Sequence, residues 1–102
     1  MQALGFLEVS GVVAAVEALD SMLKTADVEF VTWEKRLGGR LVTIVVTGSI
    51  SAVQAAVESG AARANAITKT VAQAIIANPH EEIVKLLEIS AKKLNLTKSG
   101  EV

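Results

Sequence analysis

The chain has 102 residues, of which 51% are hydrophobic and only 3% aromatic. Ten basic and eleven acidic residues leave a formal net charge of −1, and the sequence contains no cysteine. This composition excludes disulfides and cysteine-based metal sites, and it provides neither a basic field nor aromatic platforms for nucleic acid.

The apolar content is high for a chain of one small domain. A domain of this size cannot bury so much apolar surface by itself, and apolar patches on soluble proteins usually mark subunit contacts. The sequence therefore predicts an oligomer. The N-terminus lacks the basic region of a secretory signal, and the longest uncharged run, residues 41–57, is too short and too polar to span a bilayer. We expect a cytoplasmic protein that does not bind membranes.

The first part of the chain predicts a strand, a helix and a second strand. Residues 3–9 form a buried strand, and Ser10 is the expected N-cap of a helix over residues 12–24. Residues 28–35 are rich in β-branched and aromatic side chains, with Val31 and Trp33 expected on one face. The helix has 3.6-residue periodicity, with Val12, Ala15, Val16, Leu19, Met22 and Leu23 expected inside and Glu17, Asp20, Ser21 and Lys24 outside.

Two glycines, Gly38 and Gly39, separate the second strand from a third strand over residues 41–47. A diglycine between strand-forming segments predicts a hairpin turn, because glycine adopts positive φ without steric penalty. Cations flank the glycines, with Arg36 before them and Arg40 after them. The turn is therefore either a simple connection or a place where another chain or a ligand approaches the backbone.

The second half predicts a helix, a fourth strand and a third helix. The helix that follows the third strand is rich in alanine and glycine, which indicates close packing, and either Ser49 or Ser51 is its N-cap. Residues 70–77 form a strand, and Asn78 and Pro79 are the expected N-cap and first residue of the last helix. The fold class is α/β (α+β): a ferredoxin-like βαββαβ domain over residues 1–94, with a four-stranded antiparallel sheet and a C-terminal helix. Residues 95–102 form a polar tail.

The residues that could carry out chemistry do not form a site. His80, the single histidine, lies at a helix start, where a capping or packing role is the common one. The carboxylates are scattered, and the glycine pair joins two strands, whereas phosphate-binding loops lead from a strand into a helix. We predict no catalytic residues, no metal site and no cofactor, and thus a protein that is not an enzyme.

Four segments together resemble the bacterial microcompartment shell proteins of the single-domain, hexamer-forming class. The resemblance covers residues 3–87, and the segments that carry it are residues 3–9 with Gly11, residues 18–28, residues 34–43, and residues 48–64 followed by Pro79 and His80. It implies a structural shell protein that forms flat hexameric tiles in the bacterial cytoplasm. It also implies as partners five further copies of the chain, other shell proteins of the same microcompartment, and encapsulated enzymes.

The resemblance implies roles for two groups of residues. Six copies of the hairpin turn would line a central pore that passes small polar metabolites, and its lining would be Arg36, Leu37, Gly38, Gly39 and Arg40. Lys24 matches the lysine at the family's tile edge, where tiles meet, and Asn78, Pro79 and His80 lie at the same edge. The sequence leaves open which arginine faces the pore, because a one-residue shift of register turns every strand side chain to the other face.

The sequence departs from the family pattern at both places. The usual turn is Lys-Ile-Gly-Ser-Gly, whereas this chain has a turn that is one residue longer and lacks the serine. Asn78 occupies the place of an arginine that commonly reaches the adjacent tile. Two alternatives remain from the residues alone: a ferredoxin-like regulatory domain that binds a small effector between subunits, and an enzyme of the same fold.

Overall fold

The structure is a computed structural model that describes the backbone of residues 2–100 and the side chains of residues 2–94. A short turn, Leu37–Gly39, joins the second and third of four strands, which form one antiparallel sheet in the order β2-β3-β1-β4. The predicted ferredoxin-like order is confirmed. The elements are β1 (Ala3–Ser10), α1 (Val12–Thr25), β2 (Glu29–Arg36), β3 (Leu41–Gly48), α2 (Ile50–Asn65), β4 (Thr70–Ile76) and α3 (Glu81–Gly100).

The main hydrophobic core lies on the side of the sheet that α1 and α2 cover, which we call the α1/α2 face. Alternate residues of β1 and β3 point into it, as strand geometry requires. Gly60 of α2 lies directly over this core, since a Cβ atom added there would be 2.6 Å from Met22 Cγ and 2.9 Å from Leu7 Cδ2. The strand residues that are buried in this core are Ala3, Leu7, Val9, Val42, Ile44 and Val46.

Helix α1 buries a different stripe from the one its valines and leucines predict. The buried residues of α1 are Ala14, Ala15, Ala18 and Met22. Val12, Val16 and Leu23 are 39%, 50% and 42% exposed, so their predicted place in the core is wrong. The reason is steric: the alanine stripe lets α1 pack closely along α2, where the hydroxyl oxygens of Ser21 and Ser59 are 2.7 Å apart. Small side chains in both helices thus serve close packing.

The opposite side of the sheet, which we call the α3 face, carries a second and smaller cluster. Leu4 and Val45 are buried there against Leu87 of α3, and Val31 packs at the edge of this cluster. Trp33, in contrast, packs against the main core on the α1/α2 face. The prediction that Val31 and Trp33 share a face is wrong, because a β-bulge between Phe30 and Thr32 inserts an extra residue and reverses the alternation.

Hydrogen bonds between hydroxyls and a carboxylate hold α3 on β2. Ser90 of α3 donates to Glu34 Oε2, and its oxygen accepts from Thr32 Oγ1 at 2.7 Å. Thr32 is fully buried, and among the residues whose side chains are described no buried side-chain nitrogen or oxygen lacks a partner. Helix α3 therefore covers β2, part of β3 and Leu4 at the start of β1, and it leaves open the half of the α3 face around Glu8 and β4.

The helix starts show which capping predictions hold. Ser49 is the N-cap of α2, and its hydroxyl accepts the N–H of Ala52 at 3.2 Å, which decides between the two serines. Ser10 ends β1 and Gly11 caps α1 without a side-chain bond, so that prediction is wrong. Helix α3 begins at Glu81, after the predicted Asn78 and Pro79. Its first turn is capped by His80, whose Nδ1 accepts the N–H of Glu82 at 3.0 Å because imidazole can satisfy an orphan amide.

The last helix continues to Gly100, past residue 94, where the sequence places the end of the domain. The division of the chain at that residue stays a prediction, and the last two residues of the predicted tail, Glu101 and Val102, lie outside the described residues. Within the described part of the chain, no helix is long and apolar enough to cross a membrane.

Candidate functional site

The turn between β2 and β3 is formed by three consecutive residues with positive φ. The φ angles are 53° at Leu37, 67° at Gly38 and 92° at Gly39. The two glycines adopt this conformation freely, whereas a leucine there costs roughly 1–2 kcal/mol. Leu37 is also 66% exposed, so no burial within this chain offsets that cost. A strained apolar residue at an exposed tip is unusual and marks the turn as a candidate functional site.

The first residues of α1 fix the position of this turn. The N–H of Gly11 donates to the carbonyl oxygen of Arg40 at 3.0 Å. A Cβ atom added to Gly39 would lie 3.0 Å from Val12 Cγ2, so the turn and the start of α1 are close. Gly11 and Val12 were not predicted as residues of the site. The one available signal was the Ser10-Gly11 break itself, which does not reveal its spatial neighbour.

The cations of the hairpin leave the sheet on different sides. The register pairs Lys35 with Val42 and Arg36 with Leu41, so Arg36 shares the α3 face with Glu34, and Lys35 points to the other face. Arg40 follows the turn and is exposed. No described residue forms an ion pair with Lys35, Arg36 or Arg40. The structure thus places the five predicted pore residues at one end of the sheet and determines the side on which Arg36 lies.

The predicted edge residues lie at the other end of the sheet. Lys24 is in the last turn of α1, which starts next to the hairpin turn and runs away from it. Asn78, Pro79 and His80 follow the end of β4, where Ile76 pairs with Leu4. Eight-residue strands at 3.3 Å per residue put about 25 Å between the two groups. Lys24 Nζ is 3.0 Å from Asp20 Oδ2, and both side chains are exposed, as the periodicity of the helix predicts.

Comparisons with known proteins agree with this architecture. The BMC domain matches residues 3–79. Over 86 residues the chain is 43% identical to the bacterial microcompartment shell protein PduA of Salmonella typhimurium, covering 84% of this chain and 90% of that protein. It is 40% identical over 92 residues to the shell protein EutM of Escherichia coli, covering 90% and 94%. The carboxysome shell protein CcmK2 of Synechocystis sp. is 44% identical over 89 residues, covering 85% of each chain.

A solved structure has the same fold. The crystal structure of a microcompartment protein from Desulfitobacterium hafniense DCB superposes with a TM-score of 0.76 and 26% sequence identity. The match covers 88% of this chain and 48% of that chain, so this chain spans about half the length of the solved protein.

The chain belongs to the BMC domain family of bacterial microcompartment shell proteins, in its single-domain class. It is a structural protein and not an enzyme, in keeping with relatives that are themselves shell proteins. This membership favours the shell-protein hypothesis over the regulatory-domain alternative.

Proposed function

We propose that six copies of this chain form a flat ring in the shell of a microcompartment in the bacterial cytoplasm, with the hairpin turns around a central pore. The observation that carries the proposal is the unequal character of the two sheet edges. Every residue of β4 except Thr70 is exposed, and the strand carries no charge. Val71, Ile75 and Ile76 are between 37% and 49% exposed. Such an edge would pair or aggregate unless another surface covered it.

The edge formed by β2, in contrast, is rich in charge. Four of its eight residues are charged, namely Glu29, Glu34, Lys35 and Arg36. A two-fold pairing of β4 edges would leave the charged β2 edge uncovered in both copies. In a head-to-tail ring, in contrast, the β4 edge of each copy meets the β2 edge of the next, and both edges are covered. Ring closure leaves no β4 edge exposed. It also accounts for the apolar excess that the composition of the chain shows.

The pore would be lined by the turn residues. Glycine amides at its narrowest point offer hydrogen-bond donors without side-chain bulk, and six copies of an arginine that faces the pore raise the local concentration of anions. A pore of this kind admits small polar metabolites and slows the escape of volatile or reactive intermediates. Rings joined through Lys24, Asn78, Pro79 and His80 at their edges would extend into a shell with other shell proteins around encapsulated enzymes.

Native mass spectrometry of the purified chain tests the ring. The expected result is a species with six times the mass of the chain, because head-to-tail contacts close only at a fixed copy number. A chain that stays monomeric, or that forms a stable trimer, would contradict the proposal. A stable trimer would favour the alternative of a regulatory domain that binds an effector between subunits.

The arginines should determine the charge selectivity of the pore. In the Arg36→Ala/Arg40→Ala double variant, the permeability to small anions relative to cations should fall about tenfold, the lower end of the range for electrostatic focusing. The measurement is the reversal potential across rings in a planar bilayer under a salt gradient, with native mass spectrometry to show that the variant still forms rings.

Two controls make this measurement specific. Lys85→Ala removes a cation on α3 that lies 4.0 Å from Glu82, and it should leave selectivity unchanged. The wild-type preference should also weaken in 1 M salt, where the Debye length falls to about 3 Å. A double variant with wild-type selectivity at low salt would show that the arginines do not act on permeating ions.

A further inference from the structure

Glu8 is a carboxylate in an apolar recess on the open half of the α3 face. The recess has a volume of about 170 Å³, and its lining includes Phe6, Thr43, Ala72 and Ala74. Glu8 is half-buried, and it accepts a hydrogen bond from Thr43 Oγ1 at a long 3.3 Å. No described residue forms an ion pair with it. In the isolated chain, solvent that enters the recess hydrates the charge.

A neighbouring copy that covers β4 removes this solvent. The recess lies directly beside β4, since Glu8 pairs with Ala72 and Phe6 pairs with Ala74. Closing it with an apolar surface would leave a buried, unpaired carboxylate, which is strongly destabilising. A cation on the covering surface, placed against Glu8, would remove this cost.

The sheet register identifies that cation. Glu34, Thr43, Glu8 and Ala72 form one row across the four strands on the α3 face. Arg36 lies one same-face step, about 7 Å, closer to the turn. In a ring whose turns all point at the axis, each residue keeps its radius and its height in every copy. The β2 edge of one copy then presents Arg36 to the β4 edge of the next, at nearly the radius of Glu8.

The other cations near the turn fit less well. Lys35 points to the α1/α2 face, away from the recess. Arg40 lies beyond the end of the strand, with its backbone held by Gly11. The acidic neighbour of Arg36 on the same face, Glu34, already accepts a hydrogen bond from Ser90. Arg36 thus combines the right face, the right edge and a guanidinium that no described residue pairs.

We propose that Arg36 of each copy binds Glu8 of the next copy, so that a ring of six ion pairs surrounds the pore and Arg40 supplies the charge that permeating ions meet. This inference rests on the proposed ring, and it names an ion pair that would hold adjacent copies in register. It separates the two arginines, which the sequence leaves equivalent: Arg36 joins subunits, and Arg40 faces the pore.

A double-mutant cycle between Glu8 and Arg36 tests the pair. Glu8→Gln and Arg36→Gln should each raise the subunit concentration at half-dissociation by about tenfold, a value typical of the weaker measured interfacial charge pairs. The double variant should be little worse than either single variant, because each removes the same interaction. Glu8→Arg combined with Arg36→Glu should recover part of the lost assembly. Native mass spectrometry over a dilution series provides the dissociation midpoint.

Lys35→Gln is the matched control on the opposite face of the same strand. It should show no coupling to Glu8→Gln. Arg40→Ala, in contrast, should lower the anion preference of the pore and should show no coupling to Glu8→Gln in assembly. Additive effects of Glu8→Gln and Arg36→Gln, or coupling of Glu8 to Lys35 in place of Arg36, would overturn the assignment. Failure of the wild-type chain to form rings would instead reject the proposed function.

Discussion

A Leu7→Ala variant is expected to lose about 2–5 kcal/mol of unfolding free energy, the usual cost of truncating a fully buried leucine. Leu7 has no exposed surface and lies in the middle of the core between β1 and α2. Urea denaturation at one fixed subunit concentration measures the loss, because assembly would otherwise shift the apparent stability. Trp33, the single tryptophan, packs against this core and provides the fluorescence signal.

The glycine opposite Leu7 offers a sharper test of the same packing. A Cβ atom at Gly60 would lie 2.9 Å from Leu7 Cδ2, so Gly60→Ala overfills the wild-type core. In Leu7→Ala the clash with Leu7 is gone, and flexible Met22 can move into the vacated space. Leu7→Ala/Gly60→Ala should therefore be more stable than the sum of the single changes predicts. Strict additivity, or a loss below about 1 kcal/mol for Leu7→Ala alone, would contradict the described core.

The order of the elements was predictable because each strand and helix has a local sequence pattern, either a run of strand-forming residues or a 3.6-residue periodicity. The diglycine placed the hairpin, and the predicted spans of the first three strands differ from the observed ones by at most one residue at either end. Face assignments failed where packing overrode the pattern. A bulge at Val31 has no marker in the sequence, and the alanine stripe of α1 is buried ahead of its larger valines because close helix packing favours small side chains.

The candidate site was only partly predictable for a related reason. The five turn residues are contiguous, so one hairpin signal brought them together. Gly11 and Glu8 are far in sequence from the turn at residues 37–39. Only the pairing of β1 with its neighbouring strands brings them near it. Their roles also depend on a second copy of the chain. The proposed role of Glu8 exists only when a second copy covers the recess. The sequence pattern of one chain does not predict which surface that is.

Lys24→Ala should leave rings intact and abolish or strongly reduce their assembly into extended sheets. The side chain is 75% exposed and its local contact is the ion pair with Asp20, so its loss costs the subunit at most about 1 kcal/mol. The proposed ring edge, in contrast, repeats every contact six times per tile. A small loss at each edge therefore multiplies across a sheet. Native mass spectrometry reports the ring, and negative-stain electron microscopy reports the sheets.

Two matched variants separate the lysine from its local pair. Lys85→Ala removes a surface lysine on α3 that lies 4.0 Å from Glu82, and Asp20→Ala removes the partner of Lys24 while the lysine remains. Both should retain sheets if Lys24 itself makes the contact between tiles. If Asp20→Ala loses sheets as completely as Lys24→Ala, the contact between tiles depends on the Asp20–Lys24 pair and not on the lysine alone. Sheets of wild-type extent in Lys24→Ala would show that Lys24 makes no contact between tiles, and the proposed edge contact would then rest on residues 78–80.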